Sequence, residues 1–164
     1  MNLESHGPDV YVGVGPSYPW GGLYGGQIVA QALRAAYETV EPDRHVHSLH
    51  AYFIRGGDPN EPIRFEVDRI RNGRSFVTRR VVARQSSGPI LNLSASFQVR
   101  EDAVDVQERM MTEDLPSPAD LKADDWGPIL QRRPMRPETR PARAKSWLRV
   151  TPPLSDDPVL QACA

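Results

Sequence analysis

Residues 46–99 contain one run after another in which apolar and polar side chains alternate, and no other feature of the chain restricts its fold so far. A period of two puts alternate side chains on opposite faces, so each run describes a half-buried strand of an antiparallel sheet. In residues 46–55, His47, Leu49, Ala51 and Phe53 stand against Ser48, His50, Tyr52 and Ile54, and the run ends at Gly56-Gly57-Asp58-Pro59. In residues 63–70, Ile63, Phe65, Val67 and Arg69 oppose Arg64, Glu66 and Asp68. Asn72-Gly73 predicts a two-residue hairpin, because both central positions of a type I′ turn take positive φ. Phe76 to Gln85 is its return strand. Ser86-Ser87-Gly88-Pro89 turns the chain again, and Leu91, Leu93, Ala95, Phe97 and Val99 then alternate with Asn92, Ser94, Ser96 and Gln98. Arg79 and Arg80 must face opposite sides, which puts one of them inside or at an interface.

A sheet of this kind needs a second layer over its apolar face. The segment from Gly25 to about Val40 supplies it: Ile28, Ala32, Leu33, Ala35 and Ala36 fall roughly on one helical face, and Pro42 stops the helix. A face made mostly of alanine lets the helix sit very close to the sheet. One early helix followed by a meander of long strands gives an α+β class, a hotdog fold in which a curved antiparallel sheet wraps a central α-helix. Residues 1–20 carry Gly13, Gly15, Pro16 and Pro19 among aromatics, with a short strand around Val10-Tyr11-Val12. Gly13-Val14-Gly15 fails as a dinucleotide-binding loop, because Pro16 and Pro19 stand where its helix would open. The hotdog is expected over 1–99 and a linker over 100–140, acidic and proline-bearing at first, then basic and proline-rich, with one or two helical turns between 120 and 130. Over 141–164, strand-like alternation through Val150 and a beginning helix at Val159 predict the start of a second hotdog.

Composition removes several classes of function. A net charge of −1 offers no global field for nucleic acid or an anionic membrane. Cys163 is the only cysteine, so no intrachain disulfide forms and a reducing compartment fits. The first residues lack the basic cluster and apolar run of a secretory signal, and no segment approaches the ~18 apolar residues of a spanning helix. A cytoplasmic protein with no membrane and no nucleic-acid partner is expected. The basic run Arg132, Arg133, Arg136, Arg140, Arg143 and Lys145 is broken by prolines and lacks an aromatic platform, so it reads as a solvated linker. His45 and His47 could face one way, but no third ligand lies nearby, so no metal is expected.

Gly25-Gly26-Gln27-Ile28-Val29-Ala30-Gln31-Ala32-Leu33, the block 46–58, Asn72-Gly73-Arg74-Ser75-Phe76-Val77-Thr78-Arg79-Arg80-Val81 and Ala95-Ser96-Phe97-Gln98 occur here in order. In order and spacing they resemble the N-terminal half of the acyl-CoA thioesterase II family. The resemblance covers roughly residues 20–99 and is thin from 100 to 150. It implies a double hotdog that hydrolyses fatty acyl-CoA to free acid and CoA without a cofactor. It also implies that an Asp, a Ser or Thr and a Gln, which position and activate the attacking water, lie in the second hotdog, the Asp on its central helix. The chain stops at Ala164, where the resemblance places the beginning of that helix, so the sequence looks like a fragment lacking all three. Association into a homo-oligomer through hotdog sheet edges is expected, since an isolated hotdog leaves sheet surface uncovered.

Thioester hydrolysis needs an activated water and a donor to the oxygen that becomes anionic. Gly25 and Gly26 would leave a bare helix start rich in free N–H groups beside the thioester, although the same glycines fit a tight turn packed on a strand. Gln27 and Gln31, four apart, share a face near that end; Gln31 equally suits a polar residue packed near the hairpins. His47 matches a histidine that the resemblance implies near the active site, where it would serve as a base at neutral pH, against the ordinary structural role of a strand histidine. His50 should point the opposite way. Arg74 and Ser75 resemble a place where hotdog thioesterases pass the pantetheine and phosphate end of CoA, and a guanidinium suits phosphate, but a charge after a solvated turn reads the same. The alternative to an enzyme is a non-catalytic acyl-CoA-binding or dimerisation module. A hotdog dehydratase is disfavoured, since its Asp/His constellation is missing.

Overall fold

The alternating runs pair as antiparallel neighbours in a computed structural model of the chain, which describes residues 2–104, 106–108, 115–124, 127, 129–135 and 144–164. Two units are distinguished, Met1–Glu101 with Ser155–Ala164, and Asp102–Leu154. In the first, β1 (Glu4–Ser5), β2 (Val10–Gly13), β3 (Arg44–Phe53), β4 (Ile63–Asn72), β5 (Phe76–Gln85) and β6 (Gly88–Val99) form a six-stranded sheet in the order β1-β2-β4-β5-β6-β3. Helix α1 (Gly25–Tyr37) joins β2 to β3, which flank the β4-β5-β6 meander on opposite sides. The connection must therefore cross the face of the sheet, and α1 covers it. This is the helix-on-sheet hotdog arrangement that the pattern predicts.

Ala32, Ala35 and Ala36 are fully buried, as are Val81, Ala83, Leu91, Leu93 and Phe97 on the sheet. A larger side chain at Ala35 would lift the helix away, and overpacking of this kind costs about 1–3 kcal/mol. Arg79 resolves the Arg79-Arg80 question: Arg79 lies inside at 2% exposure, whereas Arg80 is exposed and 3.5 Å from Asp68. All five guanidinium N–H donors of Arg79 find neutral acceptors: Thr39 Oγ1, Thr39 O, Asn72 Oδ1, Arg71 O and Thr78 O, at 2.7–3.0 Å. Burial pushes its pKa below the ordinary arginine value, as does the neighbouring Arg69.

Two expectations change, and a third stretch holds elements that the sequence did not predict. The helix ends at Tyr37 rather than near Val40, because Thr39 turns its hydroxyl and amide onto Ala36 O and its own carbonyl is taken by Arg79. The β4–β5 hairpin does not turn on Asn72-Gly73. Neither residue has positive φ, Gly73 N–H donates to Phe76 O at 2.9 Å, and the tip is Arg74-Ser75. Glycine is needed at 73 for closeness, since a Cβ there would stand 2.6 Å from Phe76 O. The stretch read as linker contains a 3₁₀ turn (Pro118–Asp120) and β7 (Leu130–Pro134), which pairs with β8 (Ser146–Val150). Arginine content disguised this short strand, whose only proline sits at its last position. Arg136, Arg140 and Arg143 of the basic run lie outside the described residues. Helix α2 (Pro158–Cys163) opens as expected, with Asp157 Oδ1 accepting from the Val159 and Leu160 amides. Cys163 is buried, which pushes its thiol up to about 11.

Candidate active site

The start of α1 lacks every usual stabiliser of a helix N-terminus. Tyr24 occupies the cap position without a side-chain bond to a helix amide, and the first turn holds no acidic residue. Tyr24 O accepts from Gln27 N and Ile28 N at 3.0 and 3.3 Å. The amides of Gly25 and Gly26 have no acceptor among the described residues. Backbone geometry does not demand glycine here, because neither residue has positive φ. Space does: a Cβ on Gly25 would stand 2.9 Å from the Phe53 ring, and one on Gly26 would stand 2.7 Å from the Tyr24 ring. The glycine pair therefore gives aromatic rings access to the helix backbone and leaves two donors unclaimed.

The leading segment builds an aromatic wall beside this point. Tyr18 is buried, stacked on Trp20 at 4.7 Å and tilted against Tyr24 at 5.4 Å. Burial raises the Tyr18 pKa, and its hydroxyl has no partner among the described residues. Gln27 and Gln31 are both buried, as their shared face predicts. Gln31 turns toward the leading segment and not toward the hairpins: its Nε2 donates to Val14 O at 3.0 Å, while Oε1 is buried with no partner among the described residues. The role of Phe53, Tyr18 and Trp20 is not readable from alternation; the only signal in the sequence is the density of aromatics around the glycine pairs.

His47 is elsewhere. Val46 pairs with Phe97 and Ser48 with Ser96, so His47 is the extra residue of a β-bulge. Its Nε2 lies 2.8 Å from Ser96 Oγ, and its ring meets the Phe76 ring edge-on at 5.9 Å. Ser96 alternates with buried Ala95 and Phe97, so His47 stands on the sheet face opposite α1. The bulge also overturns the expectation for His50, which pairs with Ser94 and shares that outer face. Arg74 and Ser75 form the β4–β5 tip. Because Arg79 ties Asn72 of that hairpin to Thr39 just past α1, the tip lies at the C-terminal end of the helix. Thirteen residues of helix, about 20 Å at 1.5 Å each, separate it from Gly25 and Gly26. The unit thus joins Gly25, Gly26, Gln27 and Gln31 at one end of the helix, and leaves His47 on the outer sheet face beside Phe76, next to the Arg74-Ser75 tip at the other end.

Edge strand β3 presents Leu49, Tyr52 and Phe53 at 42%, 67% and 60% exposure, with Ile54 beyond it at 48%. No group of three or more His, Cys, Asp or Glu able to hold a metal exists among the described residues. No helix among them is long and apolar enough to cross a membrane.

Known proteins share this architecture. The family model for the acyl-CoA thioesterase N-terminal domain matches residues 15–98. Human acyl-coenzyme A thioesterase 8 is 43% identical over 121 residues, 74% of this chain and 38% of that protein. Acyl-CoA thioesterase 2 of Haemophilus influenzae is 44% identical over 88 residues, 54% of this chain and 31% of that one. The chain thus spans less than half the length of these curated relatives. Among solved structures, a tesB protein of Mycobacterium avium subs paratuberculosis superposes with a TM-score of 0.81 at 38% identity, covering 98% of this chain and 62% of that chain. The acyl-CoA thioesterase II TesB2 of Mycobacterium marinum gives 0.78 at 35%, covering 99% and 61%. With the glycine-led helix, the six-stranded sheet and these matches together, the chain belongs to the acyl-CoA thioesterase II family.

Proposed function

We propose that this chain supplies one hotdog of an acyl-CoA thioester hydrolase, which splits acyl-CoA into free acid and CoA, and that the start of α1 receives the thioester carbonyl. The observation that carries the reading is the pair of unclaimed amides at Gly25 and Gly26 in a chain of this family. Attack of water on the carbonyl carbon puts negative charge on its oxygen, and two preorganised N–H donors at a helix N-terminus stabilise that charge more than they stabilise the neutral ester. The tetrahedral intermediate then expels the CoA sulfur. Gln27 and Gln31 line the same place. No carboxylate sits in the first turn to activate water, in keeping with the resemblance, which puts the activating groups in a second hotdog.

Domain division is proposed as 1–99 for this hotdog, 100–140 for a linker and 141–164 for the start of the next. Antiparallel addition of a second hotdog along β3 would set its helix start beside this unit's Arg74-Ser75 tip, because antiparallel neighbours bring opposite ends together. The exposed apolar side chains on both faces of edge strand β3 favour such pairing, whether with a second copy or a fused domain. A cytoplasmic setting suits the lone buried thiol of Cys163.

A second reading, an acyl-CoA-binding module without turnover, is favoured by His47 lying on the face away from α1. One experiment separates the two: thiol release from a panel of acyl-CoAs, with binding followed by calorimetry on the same polypeptide. Binding without turnover by this chain, and turnover once a second hotdog is joined to it, is the expected result. Absence of both binding and turnover overturns both readings. Hydrolysis by the chain alone that disappears in His47→Ala would move the chemistry to the outer face.

A further inference from the structure

The hairpin of β7 and β8 carries a groove that the thioester site does not use. Its register sets Gln131 opposite Arg149 and Arg133 opposite Trp147, and alternation puts these four side chains on one face. With Pro118 of the 3₁₀ turn they line a groove of about 500 Å³. Arg132 belongs to the other face and is consumed by the Asp124 carboxylate.

The three large side chains of the groove are held in place by neutral groups. Arg133 Nη1 donates to Pro118 O and Leu121 O at 2.7 and 2.6 Å. Arg149 Nη2 donates to Gln131 Oε1 at 2.9 Å. Trp147 Nε1 donates to Pro116 O at 3.0 Å. Neither Arg133 nor Arg149 has a carboxylate partner among the described residues, so neither guanidinium is offset by an acid there and both have spare donors. Two positioned guanidiniums favour phosphate, which accepts forked hydrogen bonds, and a pinned indole offers a stacking surface for a planar base. An acyl chain would strip water from two cations without return. A nucleic-acid strand needs a succession of stacking platforms, and this face has one indole. The groove size is that of a small-molecule site.

We propose that this groove binds a phosphorylated adenine nucleotide, the 3′-phosphoadenosine end of CoA. The inference rests on the reading of the chain as an acyl-CoA protein, and it assigns a role to basic residues that the thioester site leaves idle. Calorimetric titration of the chain with adenosine 3′,5′-bisphosphate tests it. Saturable binding that weakens at least tenfold in Arg149→Gln, weakens less in Arg149→Lys, and falls with added salt is expected. Arg149 is exposed, so Arg149→Gln should keep the wild-type circular dichroism spectrum. No binding, or equal binding by wild type and Arg149→Gln, overturns the inference. So does tighter binding of a single-stranded oligonucleotide than of the bisphosphate, which would make the groove a nucleic-acid surface. A thioether analogue of acyl-pantetheine, which lacks the nucleotide, is titrated alongside. If it binds and the bisphosphate does not, the groove assignment falls and the thioester reading stands; the reverse pattern sinks the thioester reading and keeps the groove.

Discussion

The two ends of α1 are built to opposite specifications. At the C-terminal end Arg79 gives two of its five hydrogen bonds to Thr39 and three to the β4–β5 hairpin, Thr39 closes onto Ala36 O, and Glu38 pairs with Arg34 at 2.9 Å. At the N-terminal end there is no side-chain cap, no acid, and two amides without acceptors. A Ser or Asp at the cap position would stabilise a helix by about 1 kcal/mol, and this chain forgoes it. Hydrogen bonds are concentrated at the end that closes the helix, and the other end is left with its amides bare.

The largest test of this contrast is at the reinforced end. Arg79→Met leaves buried acceptors at Thr39, Asn72 and Arg71 unpaired and should lower unfolding stability by about 3 kcal/mol, read from urea melts. An unchanged midpoint would mean that the five hydrogen bonds hold nothing together. At the bare end Gly26→Val should do the reverse, weakening acyl-CoA binding at least about tenfold, or ~1.4 kcal/mol. Stability should shift by less than about 1 kcal/mol, because only the Tyr24 ring has to swing aside. Equal losses of binding and stability would make the glycines merely structural.

A smaller effect concerns Asp9, whose bidentate pair with Arg69 at 2.9 Å acts on the same reinforced end through the charge of Arg79. The hydrogen bond from Arg69 holds the Asp9 carboxyl below its ordinary 3.8. A lowered folded-state pKa gives stability that is present above the unfolded value and lost as pH falls through the folded one. Asp9→Asn should therefore cost up to about 1 kcal/mol at pH 7, discounted for partial exposure, with the gap between variant and wild type closing below pH ~3.8. A gap constant with pH would assign the cost to the backbone of Asp9, which has φ of 58°. The smallest expected change is His47→Ala: about 0.5 kcal/mol in stability for one exposed hydrogen bond, and no change in acyl-CoA affinity. A tenfold loss of affinity would show that the outer face and the helix start share a ligand.

Fold was legible where periodicity is undisturbed. Leu91, Leu93, Ala95 and Phe97 are buried as their alternation predicts, and the alanine face of α1 lies flat on them. The site was legible only as local chemistry. Gly25 and Gly26 announce a bare helix start, but nothing in the sequence says that Phe53, nearly thirty residues on, would lie against it. The sheet face of His47 does not follow the alternation, because one bulge changes which face a side chain takes, and a bulge leaves no mark in a pattern of period two. The hairpin tip moved by two residues because Asn72 is recruited by buried Arg79, a tertiary contact that outweighs the turn preference of Asn-Gly.

The bulge at His47 has a consequence for assembly. An open edge of uninterrupted ladder welcomes any strand in any register, and repeated addition leads to fibres. By interrupting the ladder of β3 near its start, the extra residue leaves Ser48–Phe53 as the regular stretch of this edge. Local irregularity of this kind narrows the registers open to any added strand and works against growth into an aggregate.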